Sequence, residues 1–233
     1  GYNPLFIYGA PGLGKTHLLH AIGHACRSKN LRQAYLSAEK FTNEYIDAIQ
    51  ERHTKDFRQR YRDLDILLVD DLSFLCGKDK TEETFFHTFN ELHNANRQIV
   101  VTCDCQPQAL PLIKDRLRSR LEWGLVTDIQ PPDFKTRLAI LQNKADEKGI
   151  NVSVDVLELI ALQVQQNIRA LEGALNRVVA YAKMIRSGLT PDLVNQALRD
   201  VTGNETKAPP VTPLLIIEAV VNCFHLTPTD LKS

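Results

Sequence analysis

Leu5-Phe6-Ile7-Tyr8-Gly9-Ala10-Pro11-Gly12-Leu13-Gly14-Lys15-Thr16-His17-Leu18-Leu19 is the stretch on which the fold of this chain turns. Leu5 to Tyr8 is a short apolar run ended by glycine, which reads as a buried strand. Gly9 to Thr16 fits the pattern G-x-x-x-x-G-K-[ST], and Leu18, Leu19, Ile22 and Cys26 then recur at helical spacing. Strand, glycine loop and helix thus follow in the order a phosphate cradle needs. The glycines let the backbone curl so that successive N–H groups face phosphate oxygens, and the helix adds the positive end of its dipole. Lys15 would neutralise β- and γ-phosphates, and the Thr16 hydroxyl would take one magnesium position. A glycine turn that merely joins strand to helix is the alternative. The placement between those two elements speaks against it.

Outward from the loop, strands and helices alternate. Gln33 to Ser37 reads as a second strand, and a helix from near Ala38 carries Phe41, Tyr45, Ile46 and Ile49. Ile66-Leu67-Leu68-Val69 is an apolar run ending in two aspartates, and Gln98 to Thr102 is a similar β-branched run. Between them Phe85, Phe86, Phe89 and Leu92 mark an amphipathic helix. The expected fold class is α/β, a parallel sheet flanked by helices on both faces. The texture changes at Pro131-Pro132. Helical patterning then runs through Leu138, Leu141 and Ala145, through Leu157, Ile160 and Val164, and through Ile168, Leu171, Leu175 and Val178. This predicts an α/β core over 1–129, a small helical lid over 130–203, and a linker leading into a further domain over 204–233. In that last segment Thr212-Pro213 reads as a helix cap.

Composition narrows the class. At 233 residues and 43% hydrophobic the chain can bury a core. No run approaches the roughly 20 apolar residues that cross a bilayer. No export leader precedes Asn3-Pro4, so a cytoplasmic protein is expected. Five cysteines without a C-x-x-C pair read as reduced thiols. With 28 basic and 28 acidic side chains the net charge is zero, so any binding to nucleic acid must use a local patch.

Asp70 and Asp71 end the second apolar run. A carboxylate at a strand's carboxyl end reaches the magnesium shell, and its neighbour can orient an attacking water. A solvated turn is the bland alternative. Asp71 is shorter than the glutamate expected there, which suggests slow hydrolysis. Asn143-Lys144-Ala145-Asp146 matches the N-K-x-D guanine pattern, but it lies within helical patterning and not after a buried strand. ATP is therefore expected over GTP. Arg116, Arg118 and Arg120 form a cluster, either ordinary surface arginines or the source of a finger reaching a neighbour's nucleotide. Arg169 opens a predicted helix, where the dipole disfavours a cation by roughly 0.3–1 kcal/mol. A phosphate facing it would explain its presence.

The residues also resemble a family, the AAA+ module of bacterial DnaA replication initiators. The resemblance runs along essentially the whole chain. It rests on Tyr2 to Gly9, Gly12 to Leu19, Phe85-Phe86-His87-Thr88-Phe89-Asn90, Asp115 to Arg120, Trp123-Gly124-Leu125 and Asn167 to Arg177. The Phe-Phe-His-Thr-Phe-Asn and Leu-Glu-Gly-Ala-Leu-Asn-Arg runs are far more specific than the loop. The resemblance implies an ATP/ADP site on Gly9, Gly12, Leu13, Gly14, Lys15, Thr16, His17 and Arg116, with Mg2+ on Thr16 and Asp70. It implies catalytic or sensing roles for Asp71, Asp104, Arg120 (a finger supplied in trans) and Arg169 (on the lid). Ile46, Lys78 and Lys80 would grip single-stranded DNA. Read without the family, Ile46 is a core residue of its helix and Lys78-Asp79-Lys80 a solvated turn. Ala10-Pro11 and Cys103 depart from the family pattern without removing a ligand.

The activity so implied is a weak ATPase acting as a switch. ATP would drive self-association into a filament on origin DNA and opening of the duplex, and hydrolysis would end it. Replicative helicase and acidic phospholipids are further partners implied by the resemblance. Sequence-specific duplex binding is expected to need a helix-turn-helix domain beyond Ser233, with other segments expected before Gly1. A helicase loader or DnaA-like regulator, and a small-molecule P-loop kinase, are the competing readings.

Overall fold

Five short strands with apolar side chains on both faces build a parallel sheet in the computed structural model, which describes residues 2–199. They are β1 (Leu5–Tyr8), β2 (Gln33–Ser37), β3 (Ile66–Asp70), β4 (Gln98–Cys103) and β5 (Leu125–Asp128), in the order β2-β3-β4-β1-β5. Parallel strands must be joined by crossovers, and helices supply them. These are α1 (Lys15–Arg27), α2 (Ala38–Gln50), α3 (Thr54–Arg62), α4 (Asp79–Asn94) and α5 (Asp115–Glu122).

Alternation along each strand divides the core in two. Phe6, Leu67, Val69, Ile99 and Val101 face a large cluster with Phe41, Phe85, Phe89 and Leu92 from α2 and α4. Ile7, Ile66, Leu68 and Val100 face a smaller one with Leu19 of α1. Burial on both sides is why the central strands read as unbroken apolar runs. Strand and helix thus follow the expected α/β class.

Two compact units are distinguishable. Among the described residues the first comprises those up to Ile140 together with Gln165–Ala170, and the second Leu141–Val164 with residues 171–199. Four more helices complete the described chain: α6 (Phe134–Glu147), α7 (Val154–Gln163), α8 (Ile168–Ile185) and α9 (Pro191–Leu198). The second unit buries Leu157, Ile160, Leu171, Leu175, Val178 and Val194 among others. Thr190 caps α9 by accepting the Leu193 N–H at 3.4 Å, with Pro191 in its first turn. The expected linker and the helix at Thr212-Pro213 lie outside the described residues.

Three details depart from the helical periodicity. Leu18, Ile46 and Ile49 are 40%, 42% and 45% exposed, so their helices turn these positions outward. The apolar stripes are narrower than the spacing suggested. The reading of Ile46 as a core residue, made without the family, is thereby corrected to a surface position. β5 and α3 carry little sequence signal. β5 is an edge strand with no buried residue, and α3 buries only Phe57 and Tyr61 within a basic run.

Candidate nucleotide-binding site

The strand order brings the carboxyl ends of β1, β4 and β3 side by side, since β4 lies between the other two. Ile7 and Tyr8 pair with Thr102 and Cys103, and Val69 with Val101. The glycine loop, Asp104 and Asp70 therefore leave the sheet at one edge, where ligands of open α/β sheets bind.

The loop has the backbone its glycines were expected to permit. Gly12 and Gly14 have φ of +82° and +93°, in the region that side chains avoid. A β-carbon at Gly12 would also meet the Asn167 side chain at 2.9 Å. Gly14 caps α1, whose first-turn N–H groups have no partner within the helix. Gly9 donates its N–H to the Cys103 carbonyl at 3.3 Å, and Leu13 is buried.

Lys15, almost fully buried, donates from Nζ to the carbonyl of Gly9 at 2.6 Å, to that of Ala10 at 3.1 Å, and to Asp104 Oδ1 at 2.7 Å. Asp104 itself is exposed. Thr16 donates its hydroxyl to Asp70 Oδ2 at 2.7 Å, and the Tyr35 hydroxyl reaches the same oxygen at 3.2 Å. Burial, aided by the Asp70 charge, pushes the Tyr35 hydroxyl up to about 12, so it stays a donor. The Asp70 Oδ1 accepts the buried Thr102 hydroxyl. Asp71 has a left-handed backbone (φ 56°, ψ 64°). Its N–H donates to Thr102 Oγ1 at 3.1 Å, and its Oδ1 accepts the Ser73 hydroxyl.

Arg169 comes to the loop from far along the chain. The Gly12 carbonyl accepts N–H groups from Ile168 at 3.0 Å and Arg169 at 3.3 Å. Asn167 caps α8 by accepting the Ala170 N–H at 2.7 Å. The Arg169 side chain is exposed beside the loop, as is that of His17 on α1.

The arginines of α5 make other contacts. Arg116 lies over the Phe86 ring at 4.9 Å, with Glu83 at 3.6 Å, and Arg120 lies over Trp123 at 4.8 Å. Arg118 pairs with the exposed Asp115 and turns inward to the carbonyls of Ile113 and Leu110. Lys78 sits over Phe74 at 2.9 Å from the ring centroid, while Lys80 is exposed. Lys144 and Asp146 of the guanine-like motif lie within α6. Lys144 pairs there with Glu147 and Glu172.

Thr102 and Tyr35 were not singled out by sequence reasoning. Threonine in a β-branched strand is indistinguishable from its neighbours until the hydroxyl's partners are known. Among the described residues no group of three or more His, Cys, Asp or Glu side chains is arranged to hold a metal. No described helix is long and apolar enough to cross a membrane.

Known proteins fit this geometry. The sequence model of the bacterial DnaA ATPase domain matches residues 1–128. Domain III of the Thermotoga maritima replication initiation protein DnaA is 40% identical over 87% of this chain and 85% of its own, with a TM-score of 0.81. AMPPCP-bound DnaA from Aquifex aeolicus is 34% identical over 88% of this chain and 60% of its own (TM-score 0.70). A replication initiator DnaA bound to AMPPCP and single-stranded DNA is 32% identical over 97% and 65% (TM-score 0.71). This chain thus spans less than two thirds of the length of those two relatives. With its phosphate loop, paired aspartates and five-stranded parallel sheet, the chain belongs to the family of bacterial DnaA ATPase domains.

Proposed function

We propose that this chain is the ATP-controlled assembly module of a chromosomal replication initiator. The observation that carries the proposal is the convergence of Lys15, Thr16, Asp70 and Asp104 on one sheet edge, with Arg169 anchored to the same loop. The loop N–H groups and Lys15 would bind the phosphates, with Leu13, His17 and Arg116 as further nucleotide contacts. Asp104, already on the Lys15 ammonium, is suited to sense the terminal phosphate. Thr16 and Asp70 offer a hydroxyl and a carboxylate side by side, the few hard oxygen donors that suit Mg2+ shared with phosphates. When bound, the metal supplies neutralisation of phosphate charge. Asp71 would orient the attacking water.

Residues 1–129 would act as the core and 130–203 as a lid that answers ATP through Arg169. Residues 204–233 would lead towards a DNA-reading domain. Arg120 would reach the nucleotide of the next subunit, making a filament. Ile46, Lys78 and Lys80 would hold single-stranded DNA, consistent with the ligand named for one solved relative. Hydrolysis would be slow and would switch the assembly off. A P-loop kinase needs no interface arginine and should keep one size in any nucleotide. Sedimentation of this chain should show larger species with ATP than with ADP, and Arg120→Ala should remove the difference. Equal sedimentation of the wild type in both nucleotides would sink the assembly reading.

A further inference from the structure

Thr102 of β4 has no exposed surface. Its neighbours Ile99, Val100 and Val101 meet the packing needs of the same strand with apolar side chains. A hydroxyl at such a depth is destabilising unless its hydrogen-bonding capacity is used. Here it is used twice, as donor to Asp70 Oδ1 and as acceptor of the Asp71 N–H at 3.1 Å.

The two oxygens of Asp70 are thereby distinguished. Oδ1 is held from inside the sheet by Thr102, and Oδ2 is the one that meets Thr16 at 2.7 Å. Tilting the carboxylate plane away would break the inner bond, so one hydroxyl fixes the orientation in which Asp70 presents an oxygen to the phosphate loop. The same hydroxyl anchors the backbone of Asp71, which stands in a left-handed conformation with φ of 56°. Even for aspartate, which tolerates this region better than most side chains, the bond to Thr102 helps to hold it. Tyr35 also touches Asp70, but from a side chain 37% exposed, where water can replace it.

We propose that Thr102 is a positioning residue for ATP hydrolysis, orienting Asp70 towards Thr16 and the metal position and holding Asp71 in its turn. The inference rests on the reading of Asp70 and Asp71 given above. It assigns to Thr102 no contact with nucleotide or metal.

The test compares Thr102→Val, which keeps the shape and removes the hydroxyl, with Thr102→Ser, which restores it. Binding of a fluorescent ATP analogue is measured in EDTA and across a Mg2+ titration, beside hydrolysis and thermal midpoint. Thr102→Val should bind the analogue in EDTA within about threefold of wild type, yet need about 10- to 100-fold more Mg2+ and lose about as much in kcat with KM little changed. Thr102→Ser should recover both. If Thr102→Val fails to fold, Thr102→Ala carries the same comparison. The proposal is overturned if Thr102→Val matches wild type in Mg2+ dependence and kcat. It is equally overturned if Thr102→Val and Thr102→Ser are impaired alike with lowered thermal midpoints, which would make the residue one of packing. Asp70→Asn separates this outcome from failure of the site itself. A wild type that hydrolyses ATP no faster than Asp70→Asn would discredit the site, whereas an active wild type with a normal Thr102→Val discredits only the positioning role.

Discussion

Asp71 stands where a side chain is costly. Its left-handed backbone disfavours most residues by about 1–2 kcal/mol, and aspartate and asparagine tolerate it best through local hydrogen bonds. That bond is present here, from the Ser73 hydroxyl to Asp71 Oδ1. Asparagine keeps an acceptor oxygen and the same backbone preference but loses the charge. Asp71→Asn should therefore leave thermal stability and ATP affinity near wild type while hydrolysis falls. Asp71→Ala should lose hydrolysis and in addition about 1 kcal/mol of stability. Single-turnover hydrolysis with thermal melts checks both, and full activity in Asp71→Asn would remove Asp71 from the chemistry. At this scale the sequence was uneven in what it disclosed. Lys15 and Thr16 are legible because a phosphate loop demands those types at that spacing. Arg116, Arg118 and Arg120 are equivalent by spacing, and only the carbonyls of Leu110 and Ile113 show that Arg118 turns inward. Thr102 carried no signal, since its role lies in partners 31 and 32 residues away.

Among the elements, legibility followed burial. β1, β3, β4 and α2 declare themselves because buried strands need continuous apolar runs and buried helix faces a 3.6-residue stripe. β5 and α3 bury too little to leave a pattern. What the strands' apolar runs cannot show is how their ends are aligned, and one cluster does this. Asp65, just before β3, accepts the Arg32 N–H at 3.0 Å and the Arg97 guanidinium at 2.7 Å. Arg32 precedes β2 and Arg97 precedes β4, so one carboxylate ties the amino ends of three strands whose other ends hold the site. The Arg32 hydrogen bond is the main cause that holds the Asp65 carboxyl below its ordinary 3.8. A carboxyl depressed on folding contributes stability above its unfolded value, and that contribution is lost as pH falls through the folded one. Asp65→Asn should therefore melt lower than wild type at neutral pH, with a gap that closes as pH falls below 3.8. The gap should also shrink with added salt, because Arg32 is largely solvent-exposed. A gap independent of pH would show that charge is not the cause.

For the whole molecule the balance of 28 basic against 28 acidic side chains removes any long-range pull on nucleic acid. The proposed single-strand binding would then come from few, local charges, which makes it countable. Lys78 and Lys80 are the proposed cations, and Ile46 supplies an exposed apolar surface without charge. Each lysine that neutralises a phosphate of a single strand releases counterions and contributes about 0.7 to the slope of log affinity against log salt. Replacing both Lys78 and Lys80 with alanine should lower that slope by about 1.4, so the loss of affinity is largest at low salt. Lys78 also rests on the Phe74 ring, an attraction that holds the ammonium in place but leaves its charge able to meet a phosphate. Ile46→Ala should weaken binding by a similar factor at every salt concentration, because stacking and apolar contact release no counterions. Anisotropy titrations of a labelled oligonucleotide over a range of salt separate the two behaviours. Unchanged slopes in the double lysine variant would place the DNA on another face of the molecule.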